Sequence, residues 1–208
     1  MTQQSPYEKQ LSRLIESGQF PEALEFSRAH TPTSASTFSY LVLACHAAFG
    51  TGEVAYARLW LGEWLDKKPH DTRAIRLLYT TLLEVGEELG AIELLRNLIQ
   101  LEPTAPERVE LIEHLIRQQA HQEALALVES APTLTPELAL KGHEITTSTG
   151  PRRLEAPWLE RAEALAPHNH KVIFTRYKLQ PDQAQAVEAL ENLASGPQDI
   201  PEKSVTIA

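Results

Sequence analysis

Apolar residues recur along the chain at the three- and four-residue spacing of amphipathic helices, in segments divided by glycine or proline. The clearest segment ends at Gly86, and the segment after it ends at Pro103. The apolar positions of the first are Ile75, Leu78, Tyr79, Leu82 and Leu83, and those of the second are Ala91, Ile92, Leu95, Leu98 and Ile99. The pattern predicts an all-α chain built from pairs of short helices joined by tight turns.

A period of 34 residues runs through the first three helix pairs. It separates three glycines, three alanines and two prolines: Gly18, Gly52 and Gly86; Ala23, Ala57 and Ala91; Pro69 and Pro103. A fixed interval of this length is typical of stacked helix–turn–helix repeats. The fourth pair shortens the interval by one residue and has no glycine in its turn, which we expect at residues 118–121.

These intervals predict six helix pairs in a single domain over residues 1–196. The predicted units are 5–37, 38–71, 72–104, 105–135, 136–168 and 169–195. Gly142 lies inside a predicted helix of the fifth unit and weakens it. The sixth pair is expected to act as a polar terminal cap, and residues 197–208 to form a flexible tail.

The units resemble the tetratricopeptide repeat over about residues 5 to 195. The third unit fills the family's positions with Ile75, Leu78, Leu82, Gly86, Ala91, Leu95, Leu98 and Pro103, and the second with Leu41, Ala44, Ala48, Gly52, Ala57, Leu61, Trp64 and Pro69. The family's signature Trp is absent, because Tyr7, Leu41, Ile75 and Arg108 occupy its position. The resemblance implies a right-handed α-solenoid of about six antiparallel helix pairs, which presents a surface to another macromolecule.

The charge of the chain narrows the class of partner. With 28 acidic against 19 basic side chains, the net charge is −9, which argues against nucleic acid or an anionic membrane surface. The amino terminus is polar and no run of about 18 apolar residues occurs, so we expect no signal peptide, no membrane insertion and a cytoplasmic location. The single cysteine, Cys45, excludes an internal disulfide and is expected to be buried.

Residues that carry chemistry do not form a recognisable pattern. Phosphate-binding glycine loops, zinc-binding HExxH and nucleophile elbows are missing from the sequence. Glu113 and His114 share a predicted helix and His143 adjoins Glu144, but neither group supplies two convergent pairs of metal ligands. We therefore expect no catalytic residues, no metal, no cofactor and no enzymatic activity.

The resemblance implies that the first helix of each unit lines a concave groove for a partner. Carried over by register, the groove residues are Val42, His46 and Phe49, then Arg73, Arg76, Thr80 and Leu83, then Val109, Glu113 and Arg117. Arg73 and Arg76 share a helix face and, with Arg117, could hold an acidic segment. Alternatively, these arginines pair with nearby glutamates such as Glu84 and Glu110. The family's carboxylate clamp for chaperone termini is absent from the sequence.

We thus expect a non-catalytic scaffold or adaptor that binds a partner peptide or helix. Two alternatives remain open. The chain could be the N-terminal docking or regulatory domain of a larger enzyme or secretion component, or it could self-associate as a homo-oligomer through Tyr56 and Trp60. These two aromatic residues are i,i+4 neighbours beside the core face of their helix, where the adjacent helix could equally half-bury them.

Overall fold

The computed structural model describes residues 5–32, 36–149 and 156–179. Within these ranges the chain forms eleven helices and no strand, which confirms the all-α prediction. They are α1 (Pro6–Glu16), α2 (Phe20–Ala29), α3 (Phe38–Thr51), α4 (Val54–Lys67), α5 (Thr72–Glu84), α6 (Glu88–Leu101), α7 (Arg108–Arg117), α8 (His121–Glu129), α9 (Pro136–Thr149), α10 (Ala156–Leu165) and α11 (His170–Leu179). The second helix of the sixth pair and the predicted tail lie outside the described residues.

The chain divides into two compact units between Thr133 and Leu134. Helices α1 to α8 belong to the first unit, and α9 to α11 belong to the second. The single domain over residues 1–196 and the right-handed course of the repeats stay predictions.

Tight turns with one left-handed residue separate the helices of the first four pairs. Gly18, Gly52 and Gly86 have φ angles of 74°, 78° and 78°, a conformation that glycine adopts without steric cost. In the fourth pair Gln119 takes this position with a φ of 60°. Its N–H donates to Ile116 O, and the next N–H donates to Leu115 O, as at the glycine turns. The turn of the fourth pair therefore keeps its conformation, although glutamine stands in place of glycine.

The repeated alanines lie in the interior of the helix pairs. Ala23, Ala57, Ala91 and Ala124 are all fully buried, and a close-packed interior disfavours a larger side chain at these positions. From α1 to α8 each helix packs against the next one in the chain, and α1 also packs against α3. The first unit is therefore a series of stacked helical hairpins.

Arg108 occupies a core position that is apolar in the second and third pairs. Its side chain is buried, and the burial lowers the pKa of its guanidinium. The guanidinium donates to Leu127 O and Pro103 O, both at 2.8 Å, and to Ser130 Oγ at 3.3 Å. The charge is thus held by the Pro103 carbonyl and by a carbonyl in the last turn of α8, where a cation is favourable.

In the second unit α9 packs against α10, and α10 packs against α11. Gly142 is buried in α9 and faces the ring of Trp158 in α10. A Cβ atom at position 142 would lie 2.6 Å from that ring, so the glycine that weakens the helix also makes room for the tryptophan.

Candidate partner-binding surface

The first helices of successive pairs contact one another through polar side chains. Tyr79 of α5 donates from its hydroxyl to Glu110 Oε2 of α7 at 2.6 Å. Arg76, also on α5, donates from Nε to Glu107 Oε1 at the start of α7, again at 2.6 Å. Arg73, on the same helix, has its guanidinium 4.3 Å from the ring centre of Phe38 in α3. Side-chain contacts therefore link α5 to both α3 and α7; we call the accessible surface of these three helices the first-helix face.

All ten predicted groove residues lie on these three helices, and none of them is buried. The exposed ones are His46, Arg73, Thr80, Leu83, Glu113 and Arg117, and the half-buried ones are Val42, Phe49, Arg76 and Val109. Their accessibility is a necessary condition for binding. That they bind a partner stays a prediction.

Arg76 is chelated by two carboxylates. Besides its bond to Glu107, it donates from a terminal nitrogen to Glu102 Oε2 at 2.5 Å. These hydrogen bonds raise the pKa of Arg76 further above its usual value, and they lower the pKa of Glu102. Only 33% of the Arg76 side chain is exposed. Arg76 therefore links α5 to the start of α7, and its predicted role of holding an acidic ligand stays a prediction.

Arg73 is engaged by a single carboxylate and one ring. It donates to both oxygens of Asp71 at 3.1 Å, and Asp71 also accepts from Trp64 Nε1 at 3.1 Å. Burial tends to raise the pKa of Asp71, but the hydrogen bonds and the charge of Arg73 outweigh it, so the pKa is lowered. The side chain of Arg73 is 63% exposed. It is the more accessible of the two α5 arginines.

Arg117 belongs to a cluster with His114 and Glu88. A terminal nitrogen of Arg117 lies 2.7 Å from His114 Nδ1 and 3.4 Å from Glu88 Oε1. His114 is buried, and its Nδ1 is also 2.8 Å from the same carboxylate. Each of the three predicted arginines therefore already faces a carboxylate. The alternative prediction of pairing with glutamates holds for Arg76 and Arg117, with Glu102, Glu107 and Glu88 in the places predicted for Glu84 and Glu110.

This pairing changes the chemistry of the first-helix face. An acidic ligand would have to compete with carboxylates that are already in place, so a basic patch is not the dominant feature. Among the ten predicted residues, the accessible apolar or uncharged ones are Val42, Phe49, Leu83 and Val109, with Thr80 and His46, and Glu113 is an exposed acidic one. The acidic partners were missed in the sequence, although Arg76–Glu107 and Tyr79–Glu110 share one spacing of 31 residues.

The second predicted patch is mostly internal. Trp60 is 2% exposed and belongs to the core of the first unit, while Tyr56 is half-buried. Their ring centres are 5.6 Å apart, and the guanidinium of Arg28 lies 5.2 Å from the centre of the Tyr56 ring. Self-association through this pair stays a prediction, and Tyr56 is its accessible member.

Among the described residues no group of three or more His, Cys, Asp or Glu side chains is placed to hold a metal ion. Cys45 is fully buried, and burial raises the pKa of its thiol to about 12. None of the described helices has the length and apolar character that crossing a membrane requires.

The described helices are similar in structure to solved helical-repeat proteins. YrrB, described as a TPR protein with an unusual peptide-binding site, is 17% identical at a TM-score of 0.58, with 84% of this chain and 91% of YrrB covered. A mutant of MamA is 17% identical at a TM-score of 0.57, with 84% and 96% covered. MamA (41-end) from Desulfovibrio magneticus RS-1 is 15% identical at 0.53, with 74% and 91% covered.

No protein-family model and no curated protein matches the sequence. At this level of identity the structural similarity establishes the fold alone. The chain has a helical-repeat solenoid fold of the tetratricopeptide type, which confirms the fold implied by the 34-residue period.

Proposed function

We propose that the chain is a non-catalytic protein-interaction module that binds a partner peptide or helix on the first-helix face. The observation that carries this proposal is that side chains link α3, α5 and α7, with all ten predicted residues accessible on these three helices. Polar bridges such as Tyr79–Glu110 fix the distance between α5 and α7. A surface fixed in this way costs little ordering entropy on binding.

The dimensions of the face suit a short segment. At 1.5 Å per residue, α3 and α5 are each about 20 Å long. A surface of this size accommodates an extended peptide or a few helical turns of a partner.

The chemistry of the face favours a partner with apolar anchors. Phe49, Leu83, Val42 and Val109 supply accessible apolar surface, and Thr80 and His46 supply hydrogen-bonding groups beside it. The description of YrrB as a peptide-binding protein supports a function of this class for the same fold. The net charge of −9 favours a protein partner over nucleic acid.

The two alternatives, a docking domain of a larger protein and a self-associating subunit, stay predictions, as does the cytoplasmic location. The burial of Trp60 reduces the apolar surface that self-association would use.

Affinity capture with matched variants tests the proposal. Leu83, on the first-helix face, is 37% exposed, and Leu165, in the second unit, is 44% exposed; each lies in the last turn of its helix. We expect Leu83→Glu to weaken a captured partner at least about tenfold, since a charge would replace an apolar contact, whereas Leu165→Glu should retain it. Thermal melting of both variants controls for folding. A partner whose affinity is equal for wild type and Leu83→Glu would refute binding at this face.

A further inference from the structure

A second accessible feature lies at the edge where the hairpins turn, and none of its lining residues is among the ten predicted groove residues. A cleft of about 380 Å³ opens between the first turns of α4 and the turn that joins α5 to α6. Its lining is Val54, Ala55, Arg58, Leu59, Val85 and Glu87. We call it the turn-edge cleft.

The turn-edge cleft and the residues near its lining in the chain carry apolar side chains that the fold does not cover. Leu59 is 53% exposed and Val85 is 45% exposed, and Leu89, two residues beyond Glu87, is 75% exposed. Isolated exposed apolar residues are ordinary on any protein, but a group of them around a cleft is typical of a binding surface. Neither the core of the first unit nor the proposed peptide site requires these residues.

The rim of the cleft is acidic. Glu53, Glu84, Glu87 and Glu88 are exposed and are at or next to the lining residues in the chain, against the single basic side chain of Arg58. Arg58 forms an ion pair with Glu87, and Glu88 faces His114 and Arg117. Glu87 and Glu88 also complement the positive end of the α6 dipole. Glu53 and Glu84 are exposed and adjoin the lining residues Val54 and Val85 in the chain, so we expect these two carboxylates to meet an incoming positive charge.

We propose that the turn-edge cleft is a second docking site, separate from the first-helix face, for a basic amphipathic segment of a partner protein. The segment would insert an apolar side chain between Leu59 and Val85 and place flanking Lys or Arg residues near Glu53 and Glu84. Charge complementarity selects this occupant over a second copy. A second copy carries the same acidic rim and the same net charge of −9, so symmetric pairing at this surface would bring like charges together.

The size of the cleft agrees with this occupant. Its volume is near the lower end of the roughly 300–1,000 Å³ typical of small-molecule pockets. It is open and mostly apolar in its lining, with one internal ion pair. One or two inserted side chains, held by charges at the rim, match this geometry.

A displayed library of random peptides provides the probe. Peptides that bind the wild-type protein would be retained, and those that also bind the double variant Leu59→Ser/Leu89→Ser would be removed. We expect the retained peptides to combine an apolar residue with flanking Lys or Arg, and a synthetic member to bind wild type at least about tenfold more tightly than the double variant. Glu53→Gln/Glu84→Gln should weaken it and reduce its salt dependence, because the rim charges are removed.

Leu83→Ser is the matched control, because it removes an exposed leucine from the first-helix face instead of from the cleft. It should leave the affinity unchanged, so the outcome for this site is distinguishable from the outcome for the proposed groove. Acidic or neutral selected peptides, no enrichment, or equal affinity for the cleft variant would each overturn the proposal. A wild-type dimer in sedimentation velocity that dissociates in Leu59→Ser/Leu89→Ser would identify a second copy as the occupant and also overturn it.

Discussion

Tyr79 and Glu110 join two consecutive first helices by a hydrogen bond of 2.6 Å between the tyrosine hydroxyl and the carboxylate. The phenol ring is buried, whereas Glu110 is exposed at the edge of the first-helix face. The bond therefore connects the core of one hairpin to the accessible surface of the next. The nearby pair of Arg76 and Glu107 repeats this connection with the same spacing in the chain.

Replacing Tyr79 by phenylalanine tests whether this bond stabilises the stacking of the third and fourth pairs. We expect Tyr79→Phe to lower the free energy of unfolding by about 1–2 kcal/mol, because a hydrogen bond to a charged acceptor is lost while the ring stays packed. Urea denaturation measures the change. In a double-mutant cycle with Glu110→Gln, additive losses would contradict a direct interaction between the two side chains.

The two arginines of α5 allow the stabilising effects of two kinds of ion pair to be compared. Arg76 forms a bridging pair, and Arg73 forms a more exposed one. Arg76→Gln removes hydrogen bonds to Glu102 and Glu107, whereas Arg73→Gln removes only the contacts with Asp71 and Phe38. We expect a loss of about 1–2 kcal/mol for Arg76→Gln and less than about 1 kcal/mol for Arg73→Gln, since exposed pairs contribute little. Chemical denaturation at low and high salt checks both values. A larger loss at Arg73 than at Arg76 would contradict the expectation that the bridging ion pair contributes more to stability than the exposed one.

The turn glycines and the buried alanines could be predicted from the sequence because each position admits few residue types. A φ near +78° at Gly52 favours glycine, and the contact at Ala57 excludes larger side chains. Such constraints leave a periodic signal in a single sequence. The fourth turn shows the limit, since Gln119 adopts φ 60° and so carries no glycine to mark it.

The carboxylates that pair with the arginines of the candidate site could not be predicted in the same way. Helical spacing suggested Glu84 and Glu110 as partners for the arginines, because those residues are near in the sequence. The observed partners of Arg76 are Glu102 and Glu107, which stacking of the next hairpin brings close. Trp60 is likewise buried by tertiary packing, although its own helix places it beside the core face.

Two glycines of the second pair allow the effect of backbone conformation on stability to be measured without a change in side-chain packing. Gly52 has φ +78°, whereas Gly62 lies within α4, and a Cβ atom at either position would meet nothing within 4 Å. Gly52→Ala should therefore lower the free energy of unfolding by about 1–2 kcal/mol through backbone strain alone. Gly62→Ala should raise it by about 0.5–1 kcal/mol, because alanine favours the helix. Thermal and chemical denaturation of both variants measures the two changes in the free energy of unfolding. Changes of the same sign would contradict this account.

Cys45 provides a chemical probe of the folded core, since it is the only cysteine in the chain. Its thiol is fully buried, and its pKa is raised to about 12 by burial. The reactive thiolate is therefore scarce and inaccessible in the folded state. We expect Ellman's reagent at pH 8 to label the native protein slowly and the urea-unfolded protein at the rate of a free thiol. Rapid labelling without denaturant would show that the core around α3 opens easily.

The same thiol makes stability depend on alkaline pH. In the unfolded chain a cysteine has a pKa of about 8.5, so ionisation stabilises the unfolded state while the folded thiol stays protonated. The contribution of Cys45 is thus fully present below pH 8.5 and is lost as pH rises toward 12, which amounts to about 2 kcal/mol by pH 10. Burial is the main cause that raises the pKa of Tyr40 to about 12, and it also raises the pKa of Tyr79. Both tyrosines therefore add to the loss of stability above pH 10. Urea denaturation between pH 7 and pH 10 should show the decline in wild type and a much smaller one in Cys45→Ala. Identical pH dependence in the two proteins would mean that the thiol ionises as readily in the folded chain as in the unfolded one.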